Sequence, residues 1–169
     1  MSHFSSNTNL SPVVITGIGM VSPIGADLQT VWANLMNSRP NISRISQFDP
    51  TLFKLENCAV AEIPAEAINL VSEYLQNLGI RHRSQNRFRY LSLYAALKSK
   101  DDSEIGANRT PESSHIGLVM GSTMPGLQEL GRSIERMQKG RKPKVADNLY
   151  MRNSVVLQEI ARNLKISGP

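Results

Sequence analysis

Few side chains in this sequence are equipped for covalent chemistry, and they are scattered. Its 169 residues include one cysteine, Cys58, and three histidines, His3, His82 and His115. A thiol nucleophile needs a lowered pKa, a nearby base and backbone amides for the oxyanion. Cys58 sits in Glu-Asn-Cys-Ala-Val, without a glycine-framed turn or a neighbouring histidine, and reads as a small buried hydrophobe. One cysteine and three separated histidines offer no ligand spacing, so neither a metal nor a cofactor is expected. Ser122 follows an apolar run but lacks a Gly-x-Ser-x-Gly elbow. His82 and His115 read as surface or strand-edge residues, and no residue is assigned a catalytic role.

Two other patterns could bind a ligand. The first is Val13-Val-Ile-Thr-Gly-Ile-Gly-Met-Val-Ser-Pro-Ile-Gly25, a glycine turn after an apolar run. A dinucleotide fingerprint needs a third small residue in the first turn of a helix. Ser22-Pro23 stands there instead, and Pro23 disfavours helix at Ser22. The helix then waits for Asp27, leaving phosphates without helix-terminal amides. A nucleotide-binding α/β domain remains an alternative on this pattern, and a tight strand-to-helix turn is the plainer reading. The second pattern is basic. Arg81, His82, Arg83 and Arg87 form one cluster, and Lys139, Arg141, Lys142 and Lys144 form another. The formal charge is +5. No aromatic residues interleave the second cluster, which disfavours nucleic acid.

The elements that must position these residues follow from periodicity. Val13–Thr16 and Ile116–Met120 are short apolar runs ended by glycine, which predicts buried strands. Cys58–Ile63 alternates weakly and is a third strand candidate. Asp27 caps a helix with Leu28, Val31, Trp32, Leu35 and Met36 on one face. Further helices are predicted from Pro64 to Gly79, over Ser84–Lys98 with Phe88, Leu91 and Ala95 on one face, and over Ser154–Leu164. Leu127, Leu130, Ile134 and Met137 mark another, with Glu129, Arg132, Glu135 and Arg136 on its other side. Residues 37–50 and 100–114 read as loops, and residues 1–12 as a loose tail ahead of one domain over 13–169. Strands alternating with helices imply a parallel or mixed sheet covered by helices, yet the strand count is low. No apolar run approaches membrane-spanning length, and a single cysteine suits a reduced, cytoplasmic setting.

The ordered motifs resemble a known family. Val13–Gly25, Val31-Trp32-Ala-Asn-Leu35 and Ile42-Ser-Arg-Ile45 leading to Phe48-Asp49 resemble the opening of the beta-ketoacyl-acyl-carrier-protein synthases. Gln85-Asn-Arg-Phe88 stands where that family has Met-Asp-x-Phe. His115-Ile-Gly-Leu-Val-Met-Gly-Ser122 resembles its Arg-Ile-Gly-Val-x-x-Gly-Ser, and Leu164-Lys-Ile-Ser-Gly-Pro169 its Gly-Leu-x-Gly-Pro. The sequence departs from the family at Asn86, which replaces an Asp, and in Gly121-Ser-Thr-Met-Pro-Gly126, where two glycines are lost.

The resemblance implies an α/β fold, the N-terminal half of a thiolase-like layered architecture with an incomplete mixed sheet. It implies a decarboxylative condensation of acyl and malonyl thioesters in the complete enzyme. The family's Thr-Ala-Cys-x-x-Gly turn, later histidines and lysine are absent here, so this chain alone is expected to be inactive. Gly121, Ser122, Met124 and Gly126 correspond to the loop that gates the acyl pocket. Arg81, Arg83 and Arg87 form a basic rim suited to an acidic acyl carrier protein. The resemblance also implies a homodimer or a heterodimer with a ketosynthase. A non-catalytic partner that binds a carrier is the alternative reading. An incomplete sheet should leave an apolar face or open edge exposed.

Overall fold

The computed structural model describes residues 12–55, 58–80, 86–105, 112–123, 125–150 and 152–168. The expected tail up to residue 11, Arg81, His82, Arg83 and Met124 lie outside the described residues.

Helix α1 covers Leu28–Met36, and its cap is the expected one: Asp27 Oδ1 accepts the Thr30 amide at 2.8 Å. Two short strands follow, β1 Ser43–Arg44 and β2 Ala59–Val60, paired antiparallel. Helix α2 spans Ala65–Asn77, and Gly79 turns the chain out of it at φ 72°. Helix α3 spans Arg87–Asp102, four residues beyond the predicted end. Helix α4 covers Leu127–Gln138 and ends at Gly140 with φ 68°, where the Arg141 amide reaches back to the Arg136 carbonyl at 2.8 Å. A short α5, Val145–Tyr150, was not predicted by periodicity. Helix α6, Asn153–Leu164, closes the set.

The core lies where α2, α3 and α6 pack together. Val71, Leu75, Leu93, Tyr94, Val156 and Ile160 are its fully buried side chains. The deepest stripe of α3 is Tyr90, Leu93, Tyr94 and Leu97, rather than the predicted face of Phe88, Leu91 and Ala95, which is partly buried. Spacing alone allowed both because α3 is covered on two sides. Its second side, at Ala95, Ser99 and Ser103, receives the Gly17–Gly19 backbone.

The two predicted buried strands are a correction. Among the described residues, neither Val13–Thr16 nor Ile116–Met120 pairs with a strand. Val13 is 99% and Val119 98% exposed. Leu118 and Met120 nonetheless pack on the core, so the segment keeps an inner and an outer face. The inner face has helices to bury against; on the outer face nothing among the described residues covers Val119. Thr16, Gly17, Ile116, Leu118, Leu164 and Ile166 converge with α3 on an apolar groove of about 390 Å³.

Helix α1 is also more open than its stripe suggests, since only Val31 is buried and Trp32, Leu35 and Met36 are exposed.

Candidate functional site

The Gly17–Gly19 turn has a structural reason that the sequence left open. A Cβ on Gly17 would overlap the Ser99 carbonyl oxygen, and one on Gly19 the Ala95 carbonyl oxygen. Only glycine lets this backbone lie directly on α3. Ser99 Oγ donates to the Gly17 carbonyl at 3.1 Å, and the Ile18 amide donates to Asp102 Oδ2 at 2.8 Å. The chain then turns tightly, with the Ser22 amide on the Gly25 carbonyl at 2.8 Å. The cleft over this segment, about 420 Å³, is lined by Asp27, Asp101 and Asp102, with Lys98 as its basic residue. Carboxylates beside a bonded amide repel a phosphate, which removes the nucleotide reading.

Two hydrogen-bonded anchors hold α3 in place. Arg89 donates through Nε and Nη2 to both carboxylate oxygens of Glu159, joining α3 to α6. These side chains are 15% and 23% exposed. The Tyr94 hydroxyl donates to the Ala26 carbonyl at 2.7 Å, fixing the turn before α1. Burial, followed by the charge of Asp27, pushes the Tyr94 phenol up to about 12. The phenol therefore remains a donor throughout the neutral range. Sequence reading missed Arg89, Glu159, Tyr94 and Asp102, because partners 68 to 84 residues apart leave no local pattern.

The expected gate loop forms the connection from Ile116–Met120 into α4. Gly121 is exposed with open space about it, and Ser122 is half-buried. Gly126 is buried in the left-handed region at φ 72°, and its carbonyl accepts the first helical bond of α4, from Leu130, at 2.9 Å. The glycine at 126 is thus required by the entry to α4.

Arg87, the described member of the first basic cluster, opens α3 and is half-buried. Its charge adds weakly to the lowering of the Glu62 carboxyl, which is held below its usual range by the Ser46 hydroxyl first and the Ser46 amide next. Asn86, in place of the family's Asp, caps the same helix, its Oδ1 accepting the Arg89 amide at 2.8 Å. Among the described residues, no hydrogen bond or ion pair joins Arg87 to Gly121, Ser122 or Gly126.

Cys58 is a half-buried free thiol at the entry to β2. His115 is exposed at the end of a short helical turn, 3.9 Å from the equally exposed Glu112. Among the described residues, no three His, Cys, Asp or Glu side chains cluster as metal ligands. No helix among them is long and apolar enough to cross a membrane.

The N-terminal domain profile of the beta-ketoacyl synthases matches residues 10–169. The chain belongs to this family. It is 28% identical over 157 residues to 3-oxoacyl-[acyl-carrier-protein] synthase 2 of Vibrio harveyi, covering 91% of this chain and 35% of that enzyme. It is 28% identical over 123 residues to the synthase of the same name from Staphylococcus aureus, covering 69% of this chain and 26% of the relative. The chain therefore spans between a quarter and just over a third of the length of these relatives. Its fold matches a chain in the complex of a type II polyketide acyl-carrier protein with its ketosynthase at TM-score 0.69, with 19% identity over 92% of this chain and 36% of that one. The ishigamide ketosynthase/chain length factor gives TM-score 0.65 at 19% identity, covering 90% and 37%. The α/β, thiolase-like N-terminal half expected from the motifs is the fold of this ketosynthase-like chain.

Proposed function

We propose that this ketosynthase-like chain forms the N-terminal layer of an enzyme that condenses acyl and malonyl thioesters in fatty acid or polyketide biosynthesis, in the cytoplasm. The observation that carries this reading is the family match across residues 10–169. Residues 13–169 act as one domain in this proposal. Gly121, Ser122, Met124 and Gly126 gate an acyl chain, and Arg81, Arg83 and Arg87 receive an acidic acyl carrier protein. The nucleophilic cysteine and the proton-handling histidines come from sequence beyond these 169 residues. Strands from the same source pair with the Val13–Thr16 and Ile116–Met120 segments and cover their bare face. The working unit pairs two such chains, or one with a full ketosynthase.

Three measurements test this. Reading the coding sequence past Pro169 should reveal a Thr-Ala-Cys-x-x-Gly turn and later histidines; an immediate stop codon would sink the enzymatic reading. The 169-residue chain incubated with acyl- and malonyl-thioesters of a carrier protein should release no β-ketoacyl product. Titration with an acidic carrier should show binding that weakens with salt and falls at least tenfold in Arg83→Glu and Arg87→Glu. Binding unchanged by either substitution would remove the basic rim from the proposal.

A further inference from the structure

A cleft of about 420 Å³ lies between the turn that precedes α1 and the start of α2. Thr30 and Asn34 line it from the side of α1 opposite the exposed Trp32. It shares no residue with the loop 121–126 or with Arg81, Arg83 and Arg87. Its walls belong to four segments of this chain, and two side chains tie them together. Asn34 Nδ2 donates to the Ile24 carbonyl at 2.8 Å. Asn41 Nδ2 donates to the Pro23 and Glu62 carbonyls, each at 2.9 Å, and so bridges the turn to the segment before α2. Pro23, Pro40 and Pro64 stiffen one segment apiece. The cleft is therefore shaped before anything enters it, which lowers the ordering cost of binding.

Its charged groups are few and mostly unengaged. Asp27, Arg39 and Glu66 are its charged lining residues. Ser38 takes φ 49°, a region that L-residues seldom enter, and the Arg39 amide then bonds back to the Asn34 carbonyl at 2.9 Å. That reversal at the end of α1 brings Arg39 to the cleft. Among the described residues, no hydrogen bond or ion pair engages the Arg39 guanidinium or the Glu66 carboxylate, so the two line one cleft without neutralising each other. Asp27 has Oδ1 engaged by the Thr30 amide. A simple anion entering here would meet two carboxylates, and a simple cation would meet the guanidinium. A ligand that carries both charges finds a partner for each. Ile24, Ala67, Leu70 and the proline rings supply the apolar part of the lining.

We propose that this cleft binds a small zwitterion, an α-amino acid with an apolar side chain. Its carboxylate takes two parallel hydrogen bonds from Arg39. Its ammonium donates to Glu66, and its side chain lies against Leu70 and the proline rings.

The test uses the full 169-residue chain and three probes of similar shape. L-leucine is the zwitterion, N-acetyl-L-leucine the anion and L-leucinamide the cation, at about pH 6, where α-amino groups are protonated and glutamates ionised. Amide NMR spectra should show L-leucine shifting residues 24–27, 39, 41, 66 and 67, with a dissociation constant of about 1 mM or below. Both singly charged probes should bind at least tenfold more weakly. Arg39→Gln should weaken L-leucine at least tenfold and leave it no better than L-leucinamide. Glu66→Gln should do the same relative to N-acetyl-L-leucine. Both side chains are exposed and outside the core, so both variants should keep the parent's far-UV dichroism spectrum. The absence of shifts in those amides at about 20 mM L-leucine would overturn the site. Equal binding of the three probes, or affinity for L-leucine unchanged in both variants, would overturn the charge pair and the proposal with it.

Discussion

Val71 and Val119 are the same residue in opposite circumstances: Val71 is fully buried on α2, and Val119 is 98% exposed. Around Val71, helices α2, α3 and α6 supply one another's apolar faces. Around Val119, the inner neighbours Leu118 and Met120 find the same core, while on the outer side no element among the described residues faces it. Apolar character therefore does not locate a residue; the presence of a facing element does. The core residues of the helices are buried by other elements of this chain, and the strand-like segments are covered on one side.

That contrast can be broken most severely at the seam between the two regions. Gly19→Val forces a side chain into the Ala95 carbonyl, which belongs to a helix and cannot swing aside. We expect a loss of more than about 4 kcal/mol in urea unfolding, or no cooperative transition. A stable G19V protein would show that the segment does not depend on α3. Within the core, Glu159→Ala leaves Arg89 half-desolvated and should cost about 3 kcal/mol. A double-mutant cycle with Arg89→Ala should then reveal coupling, and additive losses would discard the pair as an anchor.

Tyr94→Phe should cost about 1 kcal/mol by removing the bond to Ala26. It also carries a pH signature. The phenol ionises near pH 10 when unfolded and at about 12 when folded. Its stabilisation is therefore complete below pH 10 and fades as pH rises toward 12, because the unfolded chain loses the proton first. Melting curves across that window should fall more steeply for the parent than for the variant. The smallest effect belongs to the bare face. Val13→Thr with Val119→Thr should change stability by less than about 0.5 kcal/mol while lowering light scattering at high concentration. A large destabilisation there would mean that these residues are covered after all.

Much of this was legible in the residues. Asp27 capped α1, Gly79 and Gly140 ended α2 and α4, and the ordered motifs named the family that the profile match confirms. These features are local or sequential, so spacing encodes them. The face of α3 was misjudged because a helix covered on two sides offers more than one apolar stripe. Periodicity grouped Leu127, Leu130, Ile134 and Met137 on one side of α4 but gives an angle without an origin, so it did not say that this side is exposed and Glu129 buried. The gate and carrier residues had sequence support alone: Gly121, Ser122 and Gly126 occupy the connection from Ile116–Met120 into α4, and the described effect of Arg87 is a weak lowering of the Glu62 carboxyl.

The sequence by itself determined five helices, the Asp27 cap, the Gly79 and Gly140 ends and the family, since each depends on neighbours within a few positions or on the order of motifs. Only the tertiary structure decided what Gly17 and Gly19 are for, which way α4 faces, and that Arg89 meets Glu159. Those outcomes rest on contacts between residues dozens of positions apart, where the energy comes from surfaces meeting rather than from any residue's own preference.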